Sequence, residues 1–104
     1  MSGVASINER VRIATSHDNP GAVEINWAAR QELLARLGAE HTGARDAFRD
    51  VGTSAPVKLT LEDKAAVLTM IEAWRVELND DRHLPNGILD LRHALEQDLH
   101  DAGI

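Results

Sequence analysis

Two basic residues fall where apolar ones belong. With about 3.6 residues per turn, Trp27, Arg30, Leu33, Leu34 and Leu37 share one face of a helix, so Arg30 lies inside the apolar stripe. Lys64 takes a similar place beside Leu61, Leu68 and Ile71, nearer the edge of its stripe. Both bases sit in a first helical turn, where a cation opposes the helix dipole. A buried arginine needs a partner, so Arg30 is expected to reach a carboxylate. Asp46 and Asp98 are the carboxylate candidates, Asp98 because it lies at the margin of its own helix's apolar face. The chemical alternative is an anion site, with Arg30 and Lys64 holding a phosphate or carboxylate ligand and His17 close by. No glycine-rich phosphate loop accompanies either base, which favours the structural role.

Other chemistry is thinly represented. His93 and His100 share a face of one helix with Glu96 between them, but they lie two turns, about 10.5 Å, apart along the axis. One ion at roughly 2 Å from each nitrogen does not bridge that span, so no metal site is expected. His17-Asp18 has the chemistry of an oriented base, yet no G-x-S-x-G, H-E-x-x-H or cysteine nucleophile accompanies it. Asn79-Asp80-Asp81 lacks the alternating spacing of a calcium loop. No cofactor motif is present, and the expectation is a protein without catalytic activity. Leu89 and Val76 fall on solvent-side helix positions. With Leu84 and Ile104 they are expected to form an exposed apolar patch, suited to a protein partner or a homodimer.

The elements that must position these residues read as follows. Val11 and Ile13, then Val23 and Ile25, alternate with polar or small neighbours around the turn formers SHDNPG. This predicts a hairpin with strands at about 10–15 and 22–26. A capping box at Ser6-x-x-Glu9, opening a helix through Ala14, is the competing reading. Asn26 caps a helix over 27–37, stopped by Gly38. A short helix spans 43–51, between Thr42 and Gly52. Pro56, Val57 and Leu59 suggest a third short strand at 56–60. Thr60-x-x-Asp63 has the spacing of a capping box and opens a helix over 61–78, whose wide apolar stripe requires packing on more than one side. The last helix spans 87–101, with Ile88, Leu91, Leu95 and Leu99 inward.

AVEINWAARQELLARL and PVKLTLEDKAAVLTMI align at a spacing of 34 residues, matching Asn26 with Thr60 and Arg30 with Lys64. A strand–helix–helix unit present twice accounts for this. So does the local chemistry of any strand leading into a capped helix. Either way the class is α+β: a small two- or three-stranded antiparallel sheet packed with four helices. Residues 1–9 are polar and expected to be loosely ordered, and 10–104 form a single domain.

The chain has 104 residues, no cysteine and a formal charge of −6. Residues 1–56 carry six bases and seven acids, and residues 57–104 carry five bases and ten acids. With only two lysines and an acidic second half, the counterion release that drives nucleic-acid binding is not available. The opening MSGVASINER lacks the basic start and apolar stretch of a signal peptide, and no apolar run is long enough to span a membrane. A cytoplasmic interaction or regulatory protein is expected, with a small anion- or ligand-binding protein or weak enzyme using Arg30 and Lys64 as the alternative.

Overall fold

The computed structural model describes residues 10–16, 21–49, 56–85 and 87–103. Strands β1 (Arg10–Ala14) and β2 (Ala22–Asn26) pair antiparallel, with Val11 opposite Ile25 and Ile13 opposite Val23. The period-two pattern sends Val11, Ile13 and Ile25 into the core. The helix reading over 10–14 is thereby replaced by strand. The 1–9 segment, including Ser6 and Glu9, lies outside the described residues, as do residues 17–20 of the turn and residues 50–55.

Helix α1 (Trp27–Arg36) follows β2 directly. The Asn26 side chain accepts from the Ala29 amide at 2.8 Å, the bond that makes asparagine a good N-cap. Helix α2 spans Thr42–Arg49, with Ala44 and Phe48 buried. The third strand shrinks to one bridge. The Val57 amide donates to the Arg12 carbonyl and the Ala14 amide donates to the Val57 carbonyl, both at 2.7 Å. The pairing of Val57 with Ile13 is parallel, whereas an antiparallel strand was expected over 56–60. Pro56 has no N–H to give, and Thr60 is already committed to capping the next helix, so little chain is left to pair.

Helix α3 (Leu61–Leu78) starts at the expected capping box: Thr60 accepts from the Asp63 amide, and the Asp63 carboxylate accepts from the Thr60 amide. It ends at Asn79, which takes a left-handed conformation. A single 3-10 turn, Asp81–His83, leads toward α4 (Ile88–Asp101). Lys64 pairs with Asp98 at one end and Glu72 with Arg92 further along, so α3 and α4 run antiparallel. Gly87, the N-cap of α4, has φ +94°; a Cβ there would lie 2.1 Å from the Glu24 carbonyl oxygen, so only glycine lets α4 start against β2. The core gathers Ile13 and Ile25 from the sheet, Leu33, Phe48, Ile71 and Leu95 from the four helices, and Leu84 from the loop before α4.

Candidate functional site

Arg30 is buried, 8% exposed, as the stripe implied. Its acceptors are not carboxylates. Nε donates to the Phe48 carbonyl at 2.8 Å and Nη2 to the Arg49 carbonyl at 3.3 Å, while Nη1 donates to Gln31 Oε1 at 3.1 Å. The guanidinium carbon lies 4.3 Å from the centre of the Trp27 ring. Phe48 and Arg49 end α2, where backbone carbonyls lack partners and the helix dipole is negative. The exchange is mutual: Arg45 of α2 donates from Nη1 to the Leu34 and Leu37 carbonyls, at 3.1 and 2.6 Å, closing the end of α1. Each helix thus supplies the cation that the other's C-terminal end requires. Burial lowers the pKa of Arg30 from its ordinary value. Asp46 pairs instead with Arg49 on the surface of α2, at 3.3 Å.

Lys64 has the carboxylate. Its Nζ donates to Asp98 Oδ2 at 2.9 Å, with both side chains buried. The Ser16 amide donates to both Asp98 oxygens, at 3.0 and 3.1 Å. Burial pushes the Asp98 carboxyl up, but the Lys64 ammonium and the Ser16 N–H outweigh it and hold the carboxyl below its usual range. Chemically this is an anion site in which Asp98 is the anion. It ties the chain leaving β1 to α3 and α4. His17 follows Ser16 and lies outside the described residues. Arg30 and Lys64 each follow an N-cap by four residues and are both buried, but the described residues give them no common acceptor.

The apolar surface is only partly as expected. Val76 is 80% exposed and Leu89 41%. Leu84 is 9% exposed and belongs to the core, because the loop turns it under the α3–α4 hairpin. It is therefore removed from the patch, and Ile104 lies outside the described residues. Leu61, 43% exposed at the start of α3, was not anticipated.

Helix spacing places Val76 and Leu89 at about the same level of the α3–α4 hairpin. Glu72 accepts from Arg92 across the hairpin. Val76 is one turn beyond Glu72 on α3. Leu89 is about one turn from Arg92 on α4, in the same direction because the helices are antiparallel. Around them Glu72 also accepts from Arg75 at 3.0 Å, and Arg92 pairs with Glu96 at 2.9 Å. A groove of about 400 Å³ runs along Glu72, Arg75, Val76, Asn79 and Asp80. Hydrogen bonding to Arg92 is the main reason the Glu72 carboxyl stays below its usual range. The pairs within each helix were legible as i,i+3 and i,i+4 spacings; the link between helices had no local signal.

Asp80 at the groove's end accepts from the Arg82 guanidinium at 3.2 and 3.1 Å. Across the molecule, Arg36 of α1 grips Glu77 of α3 through two bonds, at 3.1 and 2.8 Å, and lies over the Trp74 ring. Among the described residues no cluster of three His, Asp or Glu side chains could hold a metal ion, and no helix is long and apolar enough to cross a membrane. Comparison with protein-family models, with curated proteins and with solved structures finds no match for this chain.

Proposed function

We propose that this protein is a small cytoplasmic interaction protein, one that acts by binding another protein chain through the outer face of the α3–α4 hairpin rather than by catalysing a reaction. The observation that carries this reading is Val76, 80% exposed in a groove it shares with Glu72 and Arg75, with the exposed Leu89 on the neighbouring helix and Glu72 paired to Arg92 between the two helices. An apolar centre with a charged rim is the composition of a recognition surface. The alternative, an anion-binding protein using Arg30 and Lys64 with His17, requires two buried bases to leave acceptors they already hold. The acidic second half argues against nucleic acid as partner.

A thermal-shift screen against inorganic phosphate, small carboxylates and nucleotides separates the two readings. A ligand at a hundred times its Kd contributes about 2.7 kcal/mol, which raises the Tm of a domain this size by roughly ten degrees or more. The interaction reading expects no such shift. A shift that disappears in Lys64→Met or Arg30→Met protein that still folds would replace it with the ligand reading.

A further inference from the structure

We infer that the occupant of the α3–α4 face is a second copy of this chain, held about a two-fold axis that passes between Val76 and Leu89. The inference rests on the reading of this face as a protein-binding surface and names what binds there.

The argument begins with charge. The chain carries −6, and residues 57–104 alone hold five bases against ten acids. Two copies repel over most of that surface. The rim of the Val76–Leu89 pair is closer to balance: Glu72 and Glu96 match Arg75 and Arg92, and Asp80 is answered by Arg82, with the exposed Asp90 left over. A nearly neutral island of alternating sign on an acidic protein is where a like-charged copy can approach.

The geometry is self-complementary as well. Val76 and Leu89 face outward at the same level of an antiparallel helix pair, on axes roughly 8–10 Å apart. Rotation by half a turn between them lays each Val76 on the partner's Leu89, the isologous arrangement of a closed dimer. The same rotation carries Arg92, about one turn back along α4, toward the Asn79–Asp80 end of the partner's α3. That end carries the negative pole of α3, so the cation arrives where it is attracted; the Asp80 carboxylate there is already held by Arg82. The groove along Glu72, Val76 and Asn79 gives the partner's Leu89 a place to lie.

Size sets the strength. The outer face of two helices of 18 and 14 residues covers roughly 500 Å². That is below the roughly 800 Å² per partner of a standard stable interface, so the dimer is of the transient kind, weaker than about 1 µM.

Sedimentation velocity of the full chain from about 1 µM to 1 mM spans that range. The expected result is a monomer passing to a dimer, with Val76→Asp weakening association at least about tenfold while the circular dichroism melt is kept, since position 76 is solvent-facing. The chain has no cysteine, so single-cysteine variants report the axis. An equimolar mixture of Val76→Cys and Leu89→Cys proteins should oxidise to the mixed dimer faster than either does alone, and faster than Ala28→Cys protein on the exposed side of α1. A monomer throughout the range, or mixed cross-linking no faster than the Ala28→Cys control, overturns the second copy as occupant. A different chain then retained from host lysate, and lost with Val76→Asp, would keep the face as a binding surface with another partner. No such chain would remove the reading of the preceding section too.

Discussion

At position 30 a lysine is a poor substitute for the arginine. The planar fork reaches two successive carbonyls of α2 and stacks on Trp27 at the same time, which a single ammonium does not. Arg30→Met should lower stability by about 2 kcal/mol, the scale of charge-assisted bonds to carbonyls left without a donor. Arg30→Lys should recover less than half of that in urea melts. Equal stability of Arg30→Lys and the parent would show that the cap is not what holds the residue. That a base lay on the inward stripe was legible from the spacing of Trp27, Arg30, Leu33 and Leu37. Its acceptors were not, because the carbonyls of Phe48 and Arg49 are groups every residue carries. Asp98 is marked by its place at the edge of an apolar face, but as a partner for Arg30; it pairs with Lys64 instead, because docking and not local spacing decides which base a carboxylate meets.

Among the elements, α4 depends most on one residue. Gly87 combines a left-handed backbone with a carbonyl of β2 lying where a Cβ would be. Gly103, at φ +83°, has the same backbone requirement and open space around it. The pair separates conformational strain from steric clash. Gly103→Ala should cost about 1 kcal/mol, the usual penalty for a left-handed non-glycine residue. Gly87→Ala should cost at least about twice as much, because α4 must also move off β2. Comparable melting temperatures for the two variants would refute the close approach. The boundaries of α1 and α3 were readable from Asn26 and from Thr60 with Asp63, since a cap acts within three residues. The strand at 56–60 was overestimated. Alternation of Val57 and Leu59 records which way side chains point, and pairing depends on whether another strand arrives.

For the whole molecule, the Lys64–Asp98–Ser16 junction is the place where acid should act. A carboxyl held below its ordinary pKa contributes stability above that ordinary value, and the contribution is lost as pH falls through the folded value. Glu72 is shifted the same way, chiefly by Arg92. The Tm should therefore fall as pH drops below about 5, where unfolded carboxyls begin to take up protons. Asp98→Asn should be less stable at neutral pH, by about 3–5 kcal/mol for a buried pair broken on one side. Its decline with acid should be shallower, because one depressed carboxyl is gone. A parallel decline in both proteins would mean that Asp98 titrates as it does in the unfolded chain.

The amino-acid sequence by itself determined the paired strands, the four helices, the N-caps of α1 and α3 and the inward position of two cations; Thr42, expected as the cap of α2, is its first residue instead. Those features arise from backbone bonds and side-chain periods that repeat within a few residues. Tertiary structure alone decided which groups answered the cations and that Leu84 turns inward. Asp98 meets Lys64 across 34 residues and Ser16 across 82. Such meetings depend on how separate elements dock. The local pattern states which faces need covering, and packing selects what covers them.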